Sequence, residues 1–169
     1  SRMRSIPKQY STKRMLIRQL SIGDAAAWKR FNNRIARKQP WAEVPSIVYA
    51  RNEILHYQEQ WDKQTRFAYA IIEKSTGKCI GDLHLKNKSI ARRRVEVGYA
   101  LDPEHWGRGI MPEVLTRLRE KLAGWRIIAK VEPENTKSIT LLRRLGAKFK
   151  GRRAVHIDGG VRVCQIYQL

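Results

Sequence analysis

Cysteine is scarce in this sequence: Cys79 and Cys164 are the only two in 169 residues. Two thiols cannot build a disulfide framework, and they lack the C-x-x-C spacing of a zinc or redox site, so both read as idle or buried. No two of the four histidines, His56, His84, His105 and His156, stand one helical turn apart. That excludes a zinc-binding helix, and no metal is expected. No apolar run approaches the ~18 residues that a bilayer span requires. The N-terminal "SRMRSIPKQY" has no hydrophobic signal core. The resulting expectation is a soluble, cytoplasmic protein without a membrane partner. Aromatic residues make up 8% of the chain and form no RNP-like Phe/Tyr pattern, which argues against a dedicated platform for stacking single-stranded bases.

Acidic residues are also few, 15 against 35 Lys and Arg, for a net charge of +20. The imbalance is uneven. Residues 1–40 carry 11 basic side chains against Asp24 alone, and residues 134–169 carry 8 against Glu134 and Asp158. Such a skew attracts polyanions, whether nucleic acid, a nucleotide cofactor or ribosomal surroundings, although it also serves as a solubilising surface. The length fits one domain with a real core, and 42% hydrophobic residues exclude a disordered chain. Residues 1–12 read as a basic arm with little apolar content, expected to be mobile, and 13–169 as the folded domain.

Periodicity gives an alternating order of elements. "KRMLIRQL" reads as a strand, and Asp24 as the cap of a helix carrying Trp28, Phe31 and Ile35 on one face. A second helix over about 46–61 aligns Ile47, Ala50, Ile54, Tyr57 and Trp61. Three strands follow, "RFAYAIIEK", "KCIGDLHLKN" and "RRRVEVGYAL", the last alternating Val95, Val97, Tyr99 and Leu101 against Glu96, Gly98 and Ala100. A helix with Val114, Leu115, Leu118 and Leu122 on one stripe, the strand "RIIAKVE", and a helix opened by Asn135 and closed by Gly146 come next. "AVHI" and "VRVCQIYQL" around "DGG" predict a closing hairpin. The pattern is an α/β layer arrangement with a mixed sheet.

The stretch "EHWGRGIMPEVL" is the most informative. Gly107 and Gly109 stand where a strand delivers the chain to a helix start, and glycine there has a backbone reason, since it brings no side chain to pack. Successive bare N–H groups at a helix N-terminus bind phosphate. The spacing is neither the G-x-x-x-x-G-K-[ST] of a P-loop nor the G-x-G-x-x-G of a dinucleotide-binding turn.

From Lys13 onward the chain resembles the GCN5-related N-acetyltransferase (GNAT) superfamily, most closely the RimJ/RimL branch that acetylates protein N-termini. The resemblance is carried by "VEVGYALDPEHWGRGIMPEVL", "VEPENTKSITLLRRLGAKFKG" and the strand pair around "GKCIGDLHL", in that family's order and separation. It implies a single α/β domain with a mixed, mostly antiparallel central sheet and flanking helices, acetyl-CoA as co-substrate, and transfer to a primary amine. In the family a loop of the form Arg/Gln-x-x-Gly-x-Gly/Ala holds the pyrophosphate. The matching positions here are Trp106, Gly109 and Met111, so only the central glycine fits that form, while W-G-x-G is the usual form in the RimJ/RimL branch. The resemblance therefore places the coenzyme on Trp106, Gly107, Arg108, Gly109, Ile110 and Met111. Its pantetheine arm falls along the backbone of Tyr99, Ala100 and Leu101, whose amides would contact the thioester oxygen.

Amine acetylation needs a neutral amine, donors for the oxyanion and a site for the departing thiolate. Glu96, on the same strand, can take the amine proton directly or through water; the competing reading is a surface carboxylate paired with Arg92 or Arg94. Many family members carry a Tyr near the thiolate, but the matching residue here is Leu142, which cannot donate. The branch resemblance points instead to Asn135, which also reads as a helix cap, and Ser138. The acceptor stays open among a ribosomal protein N-terminus, an aminoacyl-tRNA and a modified nucleic acid. A binding module that has lost catalysis and holds nucleic acid on its basic face is the alternative. Cationic small amines are disfavoured by the charge, and the chain is compatible with a monomer or a homodimer.

Overall fold

Alternation of side chains along the middle strands divides the molecule into two apolar layers, one on each side of a sheet. The computed structural model describes residues 4–157 and 159–169. The chain runs β1 (Tyr10–Ser11), β2 (Met15–Gln19), α1 (Ala25–Ala36), α2 (Ile47–Asp62), β3 (Arg66–Glu73), β4 (Cys79–Ser89), β5 (Arg94–Leu101), α3 (Ile110–Lys121), β6 (Arg126–Val131), α4 (Thr136–Arg144), β7 (Lys148–Ile157) and β8 (Gly160–Gln168). The strand order is β1-β2-β3-β4-β5-β6-β8-β7. Only β5 and β6 pair in parallel; all other neighbours are antiparallel. This is the mixed, mostly antiparallel sheet with flanking helices that the sequence led us to expect.

The odd-numbered residues of β5, Val95, Val97 and Leu101, face α3, where Val114, Leu115, Leu118 and Leu122 are buried with them. Each fully buried aliphatic side chain contributes about 1.5–3 kcal/mol. On the opposite face Phe31 and Ile35 of α1 and Ala50 and Ile54 of α2 close over Ala68, Ala70 and Ile72 of β3 and Ala100 of β5. The small alanines let these helices lie close to the sheet. Among the described residues no helix is long and apolar enough to cross a membrane.

Three local expectations change. Asp24 precedes α1, but its carboxylate does not cap it: both oxygens accept from the Arg18 guanidinium at 2.8 Å, and one also accepts from the Ser21 amide at 2.9 Å. The bidentate arginine outcompetes the helix amides. The last hairpin begins at Lys148 rather than Ala154, because β7 is an edge strand whose basic side chains hide its alternation. The arm expected to be mobile through residue 12 is packed over its described part, residues 4–12. Ile6 lies on the core, and buried Tyr10 donates its hydroxyl to the Val114 carbonyl at 3.2 Å. Pro7 accepts from the Tyr69 hydroxyl at 2.6 Å, and Arg4 accepts from the Trp125 indole at 2.5 Å. Arg2 of that arm and Asp158 of the hairpin turn lie outside the described residues.

The parallel pairing of β5 with β6 is short. Arg94, Val95 and Glu96 pair with Arg126, Ile127 and Ile128, and the register ends there. From Val97 onward the two strands run apart, leaving an opening at the centre of the sheet.

Candidate active site

The opening leads into a cleft of about 440 Å³. Its walls come from the end of β5, the loop before α3, the start of α4 and the segment after α1. Both loop glycines adopt left-handed backbone, Gly107 at φ 75° and Gly109 at φ 71°, which residues with a Cβ rarely do. A Cβ at Gly107 would meet nothing within 4 Å, and one at Gly109 only an Arg14 guanidinium nitrogen at 3.8 Å. Space beside Gly107 is therefore open, whereas Gly109 turns its bare face toward Arg14. Gly109 occupies the N-cap position of α3, which leaves the Ile110 and Met111 amides without helical partners, and Pro112 has no N–H to satisfy.

Arg14, on the turn before β2, holds this loop from behind. Its guanidinium donates to the Arg108 carbonyl at 2.9 Å and to Glu113 at 2.8 Å. Glu113 also accepts from the Thr12 hydroxyl at 2.5 Å and the Arg14 amide at 3.1 Å. Burial alone would raise the Glu113 pKa, but these hydrogen bonds outweigh it and hold the carboxyl below its usual value. The sequence reading did not find this brace, because it joins residues about a hundred positions apart.

Trp106 accounts for the departure from the general loop form. Its indole donates to the Leu101 carbonyl at 2.9 Å, closing the end of β5, and its ring carries the Lys137 ammonium 3.6 Å from the centroid. Burial, with the neighbouring charge of Lys38, pulls the Lys137 pKa down. Lys137 on the cleft wall thus sits within reach of a second cation, Lys38, and makes no ion pair among the described residues. His105, also on the cleft wall, has a buried Nδ1 with no partner. Open space beside left-handed Gly107, free helix amides, an unneutralised cation and an orphaned polar atom together fit an elongated ligand ending in phosphates.

Asn135 both caps and lines. Its Oδ1 accepts from the Ser138 amide at 3.1 Å, and it faces the cleft. Ser138 is paired in a way the sequence did not indicate: its hydroxyl lies 2.6 Å from the hydroxyl of Tyr99, across from β5. Burial pushes the Tyr99 phenol up to about 12, with the Ser138 hydrogen bond pulling the other way. Tyr99 was expected to contribute only its backbone. Leu142 is fully buried in the core, as its lack of a polar atom requires.

The cleft gathers Tyr99, Ala100, Leu101, Trp106, Gly107, Gly109, Ile110, Met111, Asn135 and Ser138. Two candidates stand apart. Arg108 is exposed and outside the lining, held by its carbonyl to Arg14. Glu96 lies on the opposite face of the sheet, where it is not a surface carboxylate and pairs with neither Arg92 nor Arg94. It is buried, and its Oε1 accepts from the Lys130 ammonium at 2.5 Å. Lys130 comes from β6, so only the strand register could have revealed the pair.

Comparison with known proteins agrees with this geometry. A family model described as an acetyltransferase (GNAT) domain matches residues 14–148. An uncharacterized N-acetyltransferase, p20, of Bacillus licheniformis is 29% identical over 146 residues, 83% of this chain and 82% of its own length. Among solved structures, RimL, a ribosomal L7/L12 alpha-N-protein acetyltransferase in complex with coenzyme A, superposes with a TM-score of 0.77 at 18% identity, over 99% of this chain and 97% of its own. The microcin C7 self-immunity acetyltransferase, in complex with acetyl-CoA and AMP, gives a TM-score of 0.82 at 18% identity, over 97% of each chain. The chain belongs to the GNAT acetyltransferase family. It is an acyltransferase, and its co-substrate is acetyl-CoA.

Proposed function

We propose that the chain moves the acetyl group directly to a primary amine in a ternary complex, and that the amine is the N-terminus of a ribosomal protein or of a polypeptide in similarly anionic surroundings. The observation that carries this reading is the divergence of β5 from β6 beside the glycine loop. It leaves a strip of β5 backbone, Tyr99 to Leu101, facing a cleft that ends at a pair of hydroxyls. Gly107, Gly109 and the first amides of α3 hold the pyrophosphate, with Lys137 at the rim. Amides of the strip stabilise the thioester oxygen as it gains charge.

With the coenzyme on the α3/α4 side, the amine arrives from the α1/α2 side, where Glu96 stands. Glu96 takes the proton that the ammonium must lose, directly or through one water. Ser138 meets the departing sulfur. A phenol with a pKa near 12 keeps its proton at neutral pH, so Tyr99 donates to Ser138 and leaves the serine proton free to hydrogen-bond the thiolate. Neither hydroxyl is acidic enough to protonate a thiolate outright, since a thiol pKa is about 8.5. Their role is to stabilise the charge until solvent supplies the proton.

The acceptor reading leans on the likeness to RimL and on the net charge of +20, which favours anionic surroundings and repels cationic small amines. It is tested by incubating the protein with labelled acetyl-CoA and, separately, ribosomal proteins, charged tRNA, DNA and polyamines. Label on a protein α-amine is expected. Label confined to RNA would move the acceptor to nucleic acid, and coenzyme binding without any transfer would favour a module that works through its basic surface.

A further inference from the structure

Two amines face Glu96: Lys86, opposite it in the β4–β5 register on the closed side of the sheet, and Lys130, which alone of the two borders the opening. The Lys130 ammonium lies 2.5 Å from the Glu96 carboxylate, on the face of the sheet from which the acceptor arrives. Ile128 sits opposite Glu96 in the β5–β6 register, so Lys130, two residues further along β6, stands level with Gly98 across the opening. Gly98 has ordinary strand backbone rather than a positive φ, so its conformation does not require glycine. What its missing side chain provides is room: a Cβ there would meet nothing within 4 Å. On this face of β5, Gly98 lies midway between Glu96 and Ala100. The Lys130 side chain, 29% exposed, now leans back to Glu96, and the empty space over Gly98 lets it swing the same distance forward to Ala100.

We infer that Lys130 is itself an acetyl acceptor, a self-modification site that is used when no external amine fills the α1/α2 side of the opening. The inference rests on the proposed binding of the thioester along Tyr99 to Leu101. The step balances without a further reactant. Glu96 takes one proton from the ammonium, and the Nζ lone pair forms a bond to the carbonyl carbon. The carbon–sulfur bond breaks, and the thiolate leaves with the second nitrogen proton, passed to it through solvent. The products are an Nζ-acetyl amide, free coenzyme thiol and one released proton. An acetylated Lys130 no longer carries the charge that pairs with Glu96, which frees the carboxylate for an incoming amine.

The test uses the full chain with carbon-13-labelled acetyl-CoA and no acceptor, sampled over time and mapped by mass spectrometry after cleavage at acidic residues. A parallel incubation contains an N-terminal peptide acceptor. Lys130 should acquire label at least roughly tenfold faster than any other lysine, because it is held at the reacting centre. Its half-time should not change on dilution of the protein. Glu96→Gln should slow it on the order of a hundredfold. Nitrogen-15 spectra supply a readout apart from turnover: the Lys130 ammonium signal should give way to an amide signal. Labelling of Lys130 at the pace of other surface lysines, labelling undiminished in Gly109→Asp, or a rate proportional to protein concentration would each overturn the inference. Peptide acetylation in the parallel incubation, with Lys130 untouched in the acceptor-free one, sinks the inference and leaves the proposed function standing. No coenzyme binding and no labelled peptide sinks the function itself, and the inference with it.

Discussion

The two faces of the sheet are built by different means. On the α3/α4 face, the groups we propose for the coenzyme are mostly consecutive: the 106–111 loop, and Asn135 with Ser138 one turn apart. On the α1/α2 face, function depends on residues that only strand register brings together. Lys130 meets Glu96 across two strands. Arg66 donates to His84 Nδ1 at 3.0 Å, and His84 Nε2 lies 3.1 Å from an Asp82 oxygen that also accepts from the Trp28 indole at 3.0 Å. The coenzyme is the same for every member of such a family, so a short local device suffices for it. The proposed acceptor side is assembled from distant parts, and its residues lie in no single stretch of chain.

Variants on either face should separate these roles. The largest effect is expected from Gly109→Asp on the coenzyme face, which puts a side chain on a left-handed backbone, adds a negative charge to the proposed phosphate loop and draws Arg14 out of its brace. Acetyl-CoA affinity, measured by calorimetry, should fall by more than about a hundredfold, given strain of 1–3 kcal/mol before any repulsion. Binding within a few-fold of the parent, in a variant shown to be folded, would remove the loop from the site.

Glu96→Gln tests the other face. Turnover should drop on the order of a hundredfold at neutral pH, and less at high pH where the free amine needs no base, with coenzyme affinity unmoved. A parent-like pH profile would reduce Glu96 to a partner of Lys130.

The two hydroxyls return to the coenzyme face. Tyr99→Phe and Ser138→Ala should each lower kcat roughly tenfold, and the double variant should lose little more, since the pair acts as one donor chain. Additive losses would mean that the two act independently.

The smallest effect belongs to the brace behind the loop. Arg14→Ala should raise the KM for acetyl-CoA only a few-fold, as expected for a largely exposed pair. The Glu113 carboxyl is held below its ordinary value in the fold, so the brace is in place above the usual carboxylate range and is lost as pH falls through that lowered value. Coenzyme affinity of the parent should therefore weaken further in acid, and that added loss should vanish in Arg14→Ala. An identical acid dependence in both proteins would rule the brace out.

What could be read from the sequence follows the same division. The element order, the helix stripes and the loop glycines were legible because each depends on near neighbours. Ser138 and Asn135 were legible too. The Tyr99 hydroxyl was not, because its partner lies 39 residues away on a helix whose approach depends on the strand divergence. Glu96 could be named as a candidate base, but not its environment: alternation tells which face a side chain takes, not whether a lysine from the next strand waits there. The N-terminal segment misled for another reason. Its basic composition suggested freedom, while two tyrosine hydroxyls and an indole secure it to the body.

The short β5–β6 pairing also bears on how the protein holds together. Strands β1 to β5 form one block and β6, β8 and β7 another, and among the described residues the backbone seam between them is stitched from Arg93 to Glu96 and no further. Such a seam is where thermal opening of the molecule begins. In the proposed complex a coenzyme lying in the gap spans both blocks, so its binding should stitch the two halves together and raise the temperature at which the molecule opens.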